Sequence, residues 1–293
     1  MSMNVTVSSG QTYPVSSGQT DTGDIVLFGG TLDVLSGGTI IDTVDSGTVN
    51  VSAGGSASGT TIYGNFVAPG VGSETIGVGG IDHGALISAG GIQYDFGSAD
   101  GDMIYANGVQ FVESGGVASG TTLSSGSEEV LSGGAASGTT ISSGVEVVSS
   151  GGTAIRTTIK SGGTLILAGG ATADLSGTTV CELGGTVELI NGYNLSGFEV
   201  TSGVNILVAN GATASGTIID SGGFVHVQGG GGAQAQGTKV KSGGELILQF
   251  DGTASGTTIY AGGWRSWVSR ISLVRQIAIS ARISAAASRT SGS

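Results

Sequence analysis

The phrase Ala-Ser-Gly-Thr-Thr and its close variants return along this chain at Ala57–Thr61, Ala118–Thr122, Ala136–Thr140, Ala154–Thr158, Ala214–Ile218, Ala235–Lys239 and Ala254–Thr258, with neighbouring copies 18 to 21 residues apart. A looser copy, Ser176-Gly177-Thr178-Thr179, follows Ala173. The interval from Ala57 to Ala118 is 61 residues, room for three units; the phrase has eroded there, but Gly79-Gly80 and Gly90-Gly91 keep the period. A fixed period of this length is the mark of a stacked repeat architecture.

Within a unit the order is a Thr-Thr-Ile strand, a Gly-Gly turn, a second strand, and another turn. The second strand ends three residues before a Gly pair, on Val34, Val51, Ile87, Val112, Val130, Val148 or Ile166. Short β-branched runs between Gly/Ser clusters are strands, and 59 glycines would be intolerable in helices. With 2 prolines and no three-residue glycine period the chain is not collagen-like. Its aliphatic content also sets it apart from disordered chains.

One unit cannot fold alone, because ordering its backbone costs roughly 1–2 kcal/mol per residue and about five buried aliphatics return only about 2 kcal/mol each. Stacking pairs each unit with two neighbours. The expected fold is all-β: a single-stranded parallel β-solenoid (β-helix) of about thirteen short rungs with an 18–21 residue period, two strands per rung, with Val34, Val51, Val112, Val130 and Val148 inward. Residues 1–29 are expected to form an N-terminal cap or first irregular rungs and 30–263 the solenoid. Residues 264–293 are an atypical basic tail, read as a frameshift product or a capping helix.

The stretch Gly133–Gly163, with further copies at Gly116–Gly134 and Gly252–Gly263, resembles the strand-loop-strand repeat of AIDA-type autotransporter passengers, a bacterial adhesin family; the resemblance covers about residues 30–263. It implies a β-helical passenger that is extracellular or on the bacterial cell surface, with no enzymatic activity and no cofactor. Its partners would be host or environmental surface ligands, saccharides among them, and copies of itself. It also implies O-glycosylation of loop serines, for which the candidates are the serines just before Gly pairs: Ser36, Ser114, Ser132, Ser150, Ser161, Ser221 and Ser242. Family members carry a signal peptide and a translocator barrel, through which alone a membrane would be engaged. The opening MSMNVTVSSG lacks a basic run and an apolar core, so a fragment, a truncated product or another export route is expected.

Net charge is −12, and residues 1–263 carry 21 acidic against 4 basic side chains. Such a surface repels phosphate, so nucleic acid is not an expected partner. The lone Cys181 reads as a small apolar strand residue.

Little in the chain looks catalytic. A calcium roll needs Asp in every turn, and none recurs. Asp21-Thr22-Gly23-Asp24 lacks a second copy for a protease dyad. His83 and His226 are too far apart to share a metal site or triad, and His226 is expected to face outward. The irregular segment 81–105 gathers acids and aromatics, and Tyr94, Asp95, Asp100 and Asp102 are its candidate saccharide contacts. An alternative function follows, a polysaccharide lyase or hydrolase using paired carboxylates there. A third is an ice- or crystal-binding solenoid. The doubled Thr places one side chain in and one out, so it offers only a single-file ladder.

Overall fold

The computed structural model of the chain describes residues 4–65, 70–175, 180–229 and 231–268. Residues 264–293 therefore lie largely outside the described residues, as does the repeat copy Ser176–Thr179. The described residues are strands and corners, and they form a parallel β-solenoid of about thirteen rungs. Two compact units divide between Thr186 and Val187.

Each rung has three strands where the sequence suggested two. In the first unit a representative rung runs Ser127–Val130, Ala135–Ser137, Thr140–Ile141. Stacking such rungs builds a valine sheet, an alanine sheet and an isoleucine sheet, named here for their inward residues. The alanine strand, part of the Ala-Ser-Gly phrase, stands where the sequence suggests a turn. It hides in the sequence because it is three residues long and contributes one small inward side chain. That side chain is nonetheless core: Ala57, Ala118, Ala136 and Ala154 are all buried.

Registers are parallel and repeat from rung to rung. Glu128 pairs with Glu146 and Val130 with Val148, Ala118 with Ala136, and Leu123 with Ile141. Identical positions therefore form ladders. Val34, Val51, Val112, Val130 and Val148 all face inward, at most 1% exposed. Two of the expected positions differ. Ile87 is buried, but on the isoleucine strand Leu86–Ser88. Ile166 is not inward; Leu167 takes the place above Val148. The reason is the corner. Its left-handed residue is the second glycine, Gly170 (φ 87°), where the neighbouring corner uses the first, Gly151 (φ 81°). The position of positive φ, not the glycine pair itself, sets where the strand ends.

Corner glycines do two jobs. Gly151 supplies positive φ. Gly152 permits close approach, since a β-carbon on it would lie 2.6 Å from the Val130 carbonyl oxygen. The third corner, before Thr-Thr, also needs positive φ, at Gly120 (φ 69°) and Gly138 (φ 76°). Space there is open enough that Arg156 (φ 58°) takes the same place.

The interval between Ala57 and Ala118 holds the alanine strands Ile81–His83 and Ser98–Asp100, completing the three eroded units. The pairing of Thr61–Asn65 with Gly70–Val71 is antiparallel, a local departure just before the next valine strand. The second unit repeats the pattern, with valine strands Asn205–Val208, Phe224–Val227 and Glu245–Gln249, alanine strands such as Thr213–Ser215, and isoleucine strands such as Ile218–Ile219. No helix among the described residues is long and apolar enough to cross a membrane.

Candidate functional site

All seven serines singled out before Gly pairs are exposed, but they occupy two different corners. Ser36, Ser114, Ser132 and Ser150 lie between valine and alanine strands; Ser161, Ser221 and Ser242 lie between isoleucine and valine strands. Each stands against the left-handed glycine of the following rung. A β-carbon on Gly54 would sit 2.8 Å from the Ser36 Oγ, on Gly133 2.7 Å from Ser114, on Gly184 2.8 Å from Ser161, and on Gly262 2.5 Å from Ser242. Ser150 under Gly170 and Ser221 under Gly243 repeat the geometry. So do Ser9, Ser17 and Ser202, under Gly29, Gly37 and Gly222; these three were not singled out, because each is followed by one glycine and not by a pair. The hydroxyl thus projects at a corner, and the rung above leaves it space by lacking a side chain.

The four candidate saccharide contacts do not come together. Tyr94 is on the outer face of the valine sheet, stacked on Phe111 with ring centroids 5.5 Å apart and 11° between planes. Asp100 is exposed on the alanine sheet, 3.7 Å from His83 Nδ1. Asp95 and Asp102 point into the core, 0% and 1% exposed. Strand alternation decides this: one residue after the outward Tyr94 must turn inward. A carboxylate pair sealed in the core cannot reach a polysaccharide.

Asp95 accepts from the Gly97 amide at 2.9 Å, whereas Asp102 belongs to a buried polar file that the sequence did not reveal. Thr60 Oγ1 donates to Glu74 Oε1 (3.3 Å), and Gln93 Nε2 donates to Glu74 Oε2 (3.1 Å) and Asp82 Oδ2 (3.2 Å). Gln110 Nε2 donates to Gln93 Oε1 (2.7 Å) and Asp102 Oδ2 (2.9 Å), and Thr121 Oγ1 to Gln110 Oε1 (3.3 Å). Above it Thr139 donates to Glu128 (2.9 Å) and Thr157 to Glu146 (3.0 Å). Burial pushes the Glu74 carboxyl up to about 8, Glu128 to about 7 and Asp102 to about 6. The available signal was positional. Glu74, Gln93, Gln110, Glu128 and Glu146 hold the second valine-strand place, where Leu32, Val49 and Leu165 stand elsewhere, and Asp102 takes the inward place that Thr121, the first Thr of its pair, holds in the next rung.

Asp21 and Asp24 are likewise buried, Asp24 accepting from the Val5 amide at 2.8 Å. His226 stands at an outward place between the inward Val225 and Val227. Cys181 continues the inward ladder above Ile159, and burial pushes its thiol up to about 11. Alanine strands such as Ser56–Ser58 in the first unit, and Thr213–Ser215 and Thr253–Ser255 in the second, carry a hydroxyl at both outward places. The outer hydroxyls are therefore not confined to the single-file ladder of the Thr-Thr pair. Among the described residues no group of three or more His, Cys, Asp or Glu is arranged to hold a metal ion.

The chain resembles a solved structure over most of its length. It aligns with the crystal structure of a TibA55-350 fragment, hyper-glycosylated by TibC, at 29% identity and a TM-score of 0.73, over 90% of this chain and 95% of that one. The chain is similar to TibA. A siphovirus 9NA tailspike receptor binding domain aligns at 10% identity and a TM-score of 0.28, over 94% of this chain and 74% of that one, too weakly to bear on function. No protein-family model and no curated protein sequence matches. The TibA likeness supports the resemblance read from the repeats, and what the two chains share is the overall fold.

Proposed function

We propose that this chain is a non-enzymatic, adhesin-like β-solenoid of the AIDA autotransporter type, displayed on a bacterial surface or secreted, and modified on corner serines by a glycosyltransferase. The observation that carries this is the recurrent exposed serine facing a side-chain-free glycine of the next rung, on a chain similar to the hyper-glycosylated TibA fragment. A hydroxyl at a corner is accessible to a modifying enzyme, and the missing β-carbon supports room for a sugar. The regular spacing of corners supports many weak contacts at once, which is how multivalent adhesion gains strength. Its partners in this reading are surface ligands and other copies of the chain.

The test is adhesion by beads coated with the full chain, purified from a host with and without the TibC-type enzyme. Binding to epithelial cells or clustering of beads is the expected outcome. Coated beads that neither bind nor cluster in either form would remove the adhesin reading. Release of sugar from a polysaccharide by the same protein would replace it with an enzymatic one.

A further inference from the structure

We propose that the interior carboxyls between Asp45 and Thr157 make this stretch a proton-held segment of the solenoid, closed while they keep their protons and opening as they lose them. The groups that meet inside come from all three sides. The valine sheet contributes Glu74, Gln93, Asp95, Gln110, Glu128 and Glu146. The alanine sheet contributes Asp82. The isoleucine strands and the corners before them contribute Asp45, Thr60, Asp102, Thr121, Thr139 and Thr157.

Among the described residues no interior cation answers these acids. The basic residues of this stretch, His83, Arg156 and Lys160, are all exposed, and the charged neighbours on the outer faces include Asp100, Glu113 and Glu129. An unpaired charge in a dry interior is costly, and the usual outcome is that the group stays neutral.

The hydrogen bonds point the same way. Asp82 Oδ2 accepts from the Gln93 amide at 3.2 Å and Asp102 Oδ2 from the Gln110 amide at 2.9 Å, and the nearness of the two acids to each other favours a proton on one of them. Asp82 Oδ1, Glu128 Oε1 and Glu146 Oε1 are buried without a partner, which a neutral acid tolerates far better than a carboxylate. Burial, reinforced by neighbouring acids, raises Asp82 and Glu146 well above the carboxylate range, and burial holds Asp95 and Asp45 at about 7.

The sign follows. Unfolded carboxyls lose their protons near about 4, and these folded ones hold them to about 6–8. The segment is most stable below about 4 and loses that stability as pH rises through the folded values.

The test is amide hydrogen exchange on the full chain at pH 5 to 8, corrected for intrinsic rates. The strands of Gln93, Gln110, Glu128 and Glu146 are compared with those of Ile206, Val225 and Leu246, whose inward places are apolar. The expected result is an opening constant that rises about tenfold per pH unit for each carboxyl exposed, confined to the first set. The double variant Glu128→Gln/Glu146→Gln should flatten the rise around those two strands. A rise of equal size in both sets, or no rise in the first, overturns the proposal. So does an undiminished rise in the Gln variant. If that variant does not fold, the comparison of the two strand sets in the unaltered protein decides alone.

Discussion

Ser132 lies directly against Gly151 of the next rung: a β-carbon on that glycine would sit 2.6 Å from the serine Oγ. Two constraints meet there, because Gly151 also has φ 81°. Gly151→Ala should destabilise the chain by about 1–2 kcal/mol for the left-handed backbone alone, with a further cost for displacing the hydroxyl. Ser132→Ala in the same molecule should recover the second part and not the first. A double-mutant cycle on denaturation midpoints checks this.

Leu167 and Ile166 separate inward from outward on adjacent residues. Leu167→Ala should cost about 2–5 kcal/mol, as large-to-small core changes do, because Leu167 is fully buried. Ile166→Ala, at an outward place, should cost under about 1 kcal/mol. Equal costs would show that the strand register is not the one described.

Thr139→Val removes the donor to Glu128 while keeping shape. The loss should be about 1 kcal/mol at pH 5, the usual net worth of one hydrogen bond. It should be larger at pH 8. Burial raises the Glu128 carboxyl to about 7, and the Thr139 hydroxyl works against that rise. Without it the folded value climbs further, so stability that is full below about 4 is lost over a window reaching beyond 7. Denaturant midpoints across this range measure the difference.

Corner serines should carry the modification in groups. Intact mass of protein made with an active glycosyltransferase should show additions, and Ser114→Ala/Ser132→Ala/Ser150→Ala should lower their number. Buried Ser46 should remain bare by peptide mapping. An unmodified mass in the presence of active enzyme would leave the serines as corner formers only.

The sequence by itself determined the architecture class. Repeated Ala-Ser-Gly-Thr-Thr, glycine pairs and β-branched runs require short strands stacked as a solenoid, because no single unit buries enough apolar surface. It also determined that Val130 and Val148 are core and that Ser132 and Ser150 lie at corners, since period-2 alternation and turn chemistry are local. Only the tertiary structure decided the third strand, because one alanine per rung is too weak a pattern to be seen before its neighbours stack on it. It alone placed Asp95 and Asp102 inside and Tyr94 outside. Spacing in the sequence brought them together, whereas the pleat sends adjacent side chains to opposite faces. The interior file of Glu74, Gln93, Gln110 and Asp102 showed along the chain only as polar residues at places where other units carry core residues. A polar residue reads as surface until three sheets close around it, and only that closure supplies the amide and hydroxyl partners that make its burial tolerable.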